Sequence, residues 1–279
     1  MITWLASYPK SGNTWLRIFL TNYLNNQAVP ASINALQGGP IASSRVWFDE
    51  WVGVEASLLD DGLIERLRPG VYRCLAQATP GMIYMKVHDA WRLSDQSEPL
   101  FPAEVTSGVI YILRNPLDLA ASLANHSGKT LTEVVSNLGD PEYAVARSLG
   151  GLNDQLRQGL GSWSGHVQSW VDDSGLRVLP LRYEDMLAAP ENAFGEVIRF
   201  CGLELEQARL LRAIAFSSFN EVKRQEQAQG FRERPVEARE KFFRRGQAGG
   251  WRAELAPELA AKIIHDHGKM MRRFGYLEK

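Results

Sequence analysis

The sequence predicts an α/β fold: three layers, α/β/α, around a central and mainly parallel sheet. Three observations carry this. Short apolar runs recur as strands (Ile2 to Ser7, Met82 to Val87, Gly108 to Leu113, Arg177 to Leu181), stretches with helical periodicity separate them, and polar or glycine-containing turns follow the strand ends. Continuous apolar strands alternating with helices are what a parallel sheet covered on both faces requires. At 279 residues the chain can bury a substantial core, and no repeat, low-complexity tract or linker divides it, so residues 1–279 read as one domain.

The first strand runs into Tyr8-Pro9-Lys10-Ser11-Gly12-Asn13-Thr14-Trp15, and a helix is predicted to start near Asn13. Its apolar stripe is Leu16, Phe19, Leu20, Tyr23 and Leu24, and Asn25 and Asn26 end it. A strand that turns sharply into a helix through glycine and small hydroxyl residues builds a cradle for an anionic phosphate. The first N–H groups of a helix have no intrahelical partner, the dipole places partial positive charge there, and Lys10 adds a full charge. The Gly-Lys-Ser/Thr string of nucleoside-triphosphate loops is absent, because Pro9 precedes Lys10 and Gly12 follows it. Met82 to Val87 leads to His88. Gly108 to Leu113 leads to Arg114-Asn115-Pro116, with Asn115 as a helix cap and Pro116 as the first helical residue. The helix after Pro190 should bury Phe194, Val197, Ile198 and Cys201, and the last, about Pro257 to Phe274, should present Leu259, Ile263, Met270 and Phe274. Ligands of parallel sheets bind beyond the carboxyl ends of the strands. The first loop, His88 and Arg114 all fall at such ends.

Composition excludes several classes. The formal net charge is −1, so no overall basic field attracts nucleic acid or an anionic membrane, and any anion site must be local. Two cysteines, Cys74 and Cys201, are too few for a disulfide framework and read as buried free thiols of a reducing compartment. Neither a signal peptide nor a membrane span is visible. His265 and His267 form an HxH pair, but residues two apart do not share a helix face, which argues against a metal site.

As an ordered set, the motifs resemble those of the sulfotransferases that use 3′-phosphoadenosine 5′-phosphosulfate (PAPS). The Lys10 loop resembles the family's 5′-phosphosulfate-binding loop. Arg114-Asn-Pro-Leu-Asp-Leu-Ala-Ala-Ser122 resembles its 3′-phosphate site, an arginine with a serine eight residues on. Phe243-Arg244-Arg245-Gly246-Gln-Ala-Gly249-Gly250-Trp251 resembles the C-terminal RKGxxGDWK signature, with Arg245 for the usual lysine and Gly250 for the usual aspartate. Tyr183, in Arg182-Tyr183-Glu184-Asp185-Met186, corresponds to an adenine contact, as Ser217 and Phe219 do more loosely. Gly161 to Trp170 also matches, and its tryptophan pair suits a core. Lys86-Val87-His88 resembles the KTH segment that carries the family's base, although Ala90 stands where a proline often follows.

The resemblance spans Thr3 to Trp251. It implies a P-loop-like, soluble, cytoplasmic enzyme that transfers a sulfuryl group from PAPS to a hydroxyl of a small-molecule or natural-product acceptor, with no metal. His88 would be the general base. Lys10 would stabilise the charge on the bridging oxygen, Ser11, Gly12, Asn13 and Thr14 would hold the 5′-phosphate, and Trp15 would be a further cofactor-binding residue. Arg114, Ser122, Arg244, Arg245 and Gly246 would hold the 3′-phosphate. Two other readings stay open: a P-loop small-molecule kinase, for which Ser11 and Asp89 could serve magnesium, and a non-catalytic nucleotide-binding module. Trp47 reads better as a core residue than as a purine stack. Trp47, Phe48, Trp51 and Trp91 could equally line an acceptor pocket. Asn220 to Arg245, rich in charges of both signs, reads as a solvated helix and loop or as a lid, and Asn125 to Gly161 as a second mobile edge. The family's dimerisation motif has no match around Arg252 to Lys262, so a homodimer stays open.

Overall fold

The computed structural model describes residues 1–146 and 153–278. In chain order the elements are β1 (Ile2–Ser7), α1 (Asn13–Asn25), α2 (Arg45–Val52), α3 (Asp61–Ala78), β2 (Ile83–Val87), β3 (Thr106–Leu113), α4 (Pro116–Ser127) and α5 (Leu131–Gly139). There follow the two-residue strands β4 (Ala144–Val145) and β5 (Gln158–Gly159), then α6 (Trp163–Gln168), β6 (Val178–Arg182), α7 (Tyr183–Ala188) and α8 (Pro190–Phe200). The last are α9 (Gln207–Phe216), α10 (Phe219–Gln229), α11 (Trp251–Glu254) and α12 (Pro257–Arg273). The central sheet has the order β2-β1-β3-β6, is mostly parallel and is flanked by helices, as the apolar runs predict.

The chain divides into two compact units, residues 1–8, 38–111 and 141–180, and residues 9–37, 112–140 and 181–279. In the first, β1 and β2 pair in parallel from Ile2 opposite Ile83 to Ala6 opposite Val87. Every residue of β1 is buried, the mark of a strand covered on both faces. Trp4 meets Tyr72 and Phe101 edge-on at 5.0 and 4.9 Å, and Phe101 reaches Trp170 at 4.9 Å. Trp163 and Trp170 are both core residues, as their pairing in the sequence predicts. Phe48 of α2 packs with Ala56, Ile64, Val71 and Leu156.

In the second unit, left-handed Asn26 closes α1. Asn115 caps α4 by accepting the Leu117 N–H, with Pro116 at the first helical position. Phe19 of α1 stacks on Phe194 of α8 at 4.1 Å.

Several expectations need correction. Cys74 is exposed and Cys201 half-buried, both free, because Cys74 lies on the outer side of α3 and Cys201 follows the last residue of α8. Trp47 is half-buried; its neighbour Phe48 takes the core position of α2. The buried row of α12 is Ala260, Ile263, His267 and Met271, with Leu259, Met270 and Phe274 only flanking it. The segment after α10 is more than a solvated loop. Phe231, Phe242 and Phe243 pack with Ile18, Ile33, Leu36 and Val222, and Arg17 forms an ion pair with Glu233 at 2.7 Å. Within Asn125 to Gly161, residues 131–139 form α5 behind a Thr130/Glu133 capping box, and residues 147–152 lie outside the described residues.

Two buried histidines give the protein a defined acid response. Burial pushes His166 and His267 down from the ordinary 6.5 to about 4 each. The unfolded chain therefore takes up these protons first as pH falls from 6.5 towards 4, so stability is lost across that window. By pH 5 the loss should be about 2 kcal/mol per histidine. Urea unfolding at pH 7 and pH 5 measures it; equal stability at the two values would contradict neutral burial.

Candidate active site

β1 ends at Ser7 and α1 begins at Asn13, and the turn between them takes an unusual backbone path. Lys10 has φ 71° and Gly12 φ 111°, both left-handed. Left-handed residues interleaved with ordinary ones turn successive N–H groups towards one side, an anion-binding concavity that continues into the N-terminus of α1. Gly12 is needed twice over. Its φ favours glycine, and a Cβ there would lie 2.7 Å from Tyr183 Cδ2. Tyr183, the first residue of α7, fills that space and meets Trp15 edge-on at 5.7 Å.

Arg114 follows β3, and its guanidinium lies 4.4 Å from the Tyr183 ring. Its Nη1 donates to the Lys10 carbonyl at 3.2 Å and its Nη2 to the Gln247 carbonyl at 3.4 Å. The Lys10 ammonium sits 3.4 Å from the centre of the Phe242 ring. Ser11 Oγ, Trp15 Nε1 and Arg114 Nε are buried with no hydrogen-bond partner among the described residues. Buried polar atoms are ordinarily bonded, so one hydroxyl and two N–H donors around this turn suit a polyanionic ligand. Burial raises the Tyr183 phenol, which therefore stays protonated at neutral pH.

The basic glycine turn belongs to the same unit. Gly246 has φ 64°, and a side chain there would collide with the Phe219 ring at the start of α10. Arg244 and Arg245 each place Nη1 2.6 Å from a carboxylate oxygen of Glu254 in α11. Asp118 of α4 accepts the N–H groups of Gly249 and Trp251 at 2.7 and 2.9 Å. Ser122 is half-buried, one helical turn beyond Asp118. Ser217 is buried with its hydroxyl donating to the Ile214 carbonyl at 3.1 Å, so its side chain is engaged within α9. The second unit thus joins the Lys10 loop to Arg114 and Tyr183, and Phe219 to the Arg244–Gly246 turn. Neither Asp118 nor Glu254 stands out as a site residue in the sequence. Asp118 lies inside the Arg114–Ser122 motif, and its spacing of four from each end is the one signal that marks it.

His88 belongs to the first unit, directly after β2. Its Nδ1 is 2.8 Å from the Ser7 carbonyl oxygen and 3.3 Å from Ser7 Oγ. A carbonyl oxygen only accepts, so Nδ1 carries a proton, and in the neutral imidazole Nε2 then holds the lone pair. The backbone around it is held firmly. His166 Nε2 donates to the His88 carbonyl at 2.9 Å, Trp170 Nε1 to the Asp89 carbonyl at 2.9 Å, and the Ala90 N–H to the Gly159 carbonyl at 2.8 Å. His166 is neutral at pH 7 and accepts the Tyr111 hydroxyl at Nδ1, 2.8 Å away. The Asp89 carboxylate is locked in an ion pair with Arg68 at 2.8 Å.

This fold, with an anion cradle after the first strand and a strand-end arginine, defines a P-loop-like α/β nucleotide-dependent transferase. The Sulfotransferase domain family model matches residues 2–275, and the chain belongs to that family. It is an enzyme of PAPS-dependent sulfuryl transfer, which sets aside the kinase and pure-binder readings. Cytosolic sulfotransferase 16 of Arabidopsis thaliana is 24% identical over 282 residues, covering 93% of this chain and 72% of that protein. Sulfotransferase 1A1 of Canis lupus familiaris is 25% identical over 278 residues, covering 97% and 83%. Retinol dehydratase in complex with androsterone and inactive cofactor PAP is similar in structure with a TM-score of 0.64 at 19% identity, covering 97% of this chain and 80% of that one. Mouse sulfotransferase SULT7A1 complexed with PAP gives 0.59 at 19% identity, with 97% and 84% covered. These two likenesses carry the fold. Among the described residues, no helix is long and apolar enough to cross a membrane.

Proposed function

We propose that the protein, acting as a single domain, transfers the sulfuryl group of PAPS to a hydroxyl of a small-molecule acceptor, with His88 as general base. The observation that carries the reading is the Lys10–Trp15 cradle: left-handed Lys10 and Gly12, with buried Ser11 Oγ, Trp15 Nε1 and Arg114 Nε around it that have no hydrogen-bond partner among the described residues. PAPS supplies an activated sulfuryl group on its 5′-phosphate. N–H groups from Ser11 to Thr14 hold that phosphate, with the Thr14 hydroxyl beside them, and Trp15 and Tyr183 set the floor of the site. The Lys10 ammonium stabilises the negative charge that develops on the phosphate oxygen as its bond to sulfur breaks. His88 Nε2 takes the acceptor's proton while the acceptor oxygen bonds to sulfur, and Nδ1–H on the Ser7 carbonyl keeps the ring in the accepting tautomer. Arg114, Ser122, Arg244, Arg245 and the Gly246 backbone hold the 3′-phosphate, with Ser217 and Phe219 on the adenine side. No residue in this scheme requires a metal.

Retinol dehydratase is known in complex with androsterone, an alcohol, which supports a hydroxyl acceptor. The relatives named cytosolic sulfotransferases support a cytoplasmic place of action. Calorimetric titration with 3′-phosphoadenosine 5′-phosphate (PAP), beside adenosine 5′-phosphate and Mg·ATP, is the direct test. The expected result is tight binding of PAP without metal, weakened about tenfold or more when the 3′-phosphate is missing. Preference for Mg·ATP would overturn the assignment.

A further inference from the structure

We propose that Asp118 is the positioning residue of the 3′-phosphate site: its carboxylate fastens the glycine turn at 246–250 to α4, so that Arg244 and Arg245 stand ready beside Arg114 and Ser122. This rests on the reading that these residues hold the 3′-phosphate. Asp118 is four residues after Arg114 and four before Ser122, so the three follow one another along one side of α4 and the turn that precedes it. It is only 6% exposed, and a carboxylate that deeply placed must be satisfied by strong partners. Its two oxygens divide between two main-chain donors on either side of residue 250, the Gly249 N–H at 2.7 Å and the Trp251 N–H at 2.9 Å.

These bonds are transmitted to the arginines. Trp251 opens α11, and Glu254 closes it and binds both guanidiniums, so the bond from Asp118 to the Trp251 N–H sets where α11 begins and where the arginine pair is held. Arg114 grips the same turn through the Gln247 carbonyl. Gly250 fits this arrangement for reasons of space rather than conformation. Its backbone is ordinary helical, φ −65° and ψ −17°, yet a Cβ would lie 3.2 Å from Arg245 Nη1, 3.7 Å from Glu254 Oε1 and 4.0 Å from Asp118 Oδ1. The carboxylate that the family signature places at 250 would enter this cluster as a third acid. Here Glu254 on α11 pairs with both arginines, and Asp118 on α4 holds the N–H groups of the turn.

The test is the ratio of affinities for PAP and adenosine 5′-phosphate, by calorimetry, in the full-length wild type, Asp118→Asn and Asp118→Ala. Asparagine keeps one acceptor oxygen and loses the charge; alanine loses both bonds. The expected result is a ratio lowered about tenfold in Asp118→Asn and about a hundredfold in Asp118→Ala, with affinity for adenosine 5′-phosphate within about twofold of wild type. A wild-type ratio in either folded variant, or a parallel loss of both ligands, overturns the positioning role. Should Asp118→Ala fail to fold, Asp118→Asn carries the decision. Failure of the underlying reading looks different: the wild-type protein itself would bind both nucleotides equally.

Discussion

His88→Ala is expected to lower turnover by about two to four orders of magnitude while leaving affinity for PAP unchanged. His88 is not among the residues proposed to hold the nucleotide, so its loss removes none of their side chains. What it removes is a proton acceptor with a fixed tautomer. The Ser7 carbonyl takes Nδ1–H at 2.8 Å, and His166, Trp170 and Gly159 hold the main chain of residues 88–90. A base oriented this way loses little entropy in accepting a proton, which is where a positioned group gains over solvent. Single-turnover assays at saturating PAPS, paired with calorimetry of PAP, separate the two quantities. Turnover within a few-fold of wild type would remove His88 from the role of base and leave its hydrogen bonds a purely structural meaning. Loss of PAP binding in step with turnover would mean instead that residues 88–90 support the nucleotide site.

Much of this arrangement is legible in the sequence, and the reasons differ by element. β1 and the loop after it are readable because two strong local signals coincide: a continuous apolar run, which the structure buries on both faces, and a glycine at the strand-to-helix turn, which it holds at φ 111°. The start of α4 is readable because Asn115 and Pro116 each have one preferred place at a helix end. α3 has a start signal, Asp60, whose side chain accepts the Leu63 N–H, but its interior pattern is broken. It runs from Asp61 to Ala78 with Pro69 inside it, and Pro69-Gly70 interrupts the helical pattern that packing nevertheless sustains. The buried row of α12 is shifted because Ala260 and His267 do not read as anchors, while the flanking, half-buried Leu259 and Met270 do. The roles of Asp118 and Glu254 are tertiary. Asp118 meets N–H groups more than a hundred positions away, and no spacing rule reports which main-chain donor a carboxylate will find. The charge-rich stretch after α10 misleads for a related reason: three phenylalanines among many charged residues form its packed side.

Asp89→Ala is expected to reduce unfolding free energy by about 3–5 kcal/mol. The Arg68–Asp89 side chains are 1% and 0% exposed, with Nη1 and Nη2 of Arg68 at 3.0 and 2.8 Å from the two carboxylate oxygens. Arg68 Nε also donates to the Tyr72 hydroxyl, which donates to the Ala42 carbonyl, and Arg92 Nη1 reaches Asp89 at 3.3 Å. Burial by itself would raise the Asp89 carboxyl, but Arg68 and Arg92 together hold it below the usual carboxylate range. A depressed carboxyl contributes stability above its ordinary pKa of 3.8, lost as pH falls through the lower folded value, an acid window below that of the two histidines. Removing Asp89 strands the Arg68 charge in the interior, and that stranded charge, more than the lost attraction, makes the change large. The double variant Arg68→Met/Asp89→Leu removes both buried charges, leaves Arg92 its partner Glu65, and should recover most of the loss, because a buried ion pair gains little over apolar packing of similar volume. Urea unfolding of the wild type, both single variants and the double variant completes the cycle. A loss below about 1 kcal/mol in Asp89→Ala would mean that water reaches Arg68. A double variant as unstable as Asp89→Ala would mean that the pair itself, and not the penalty of breaking it, supplies the stability.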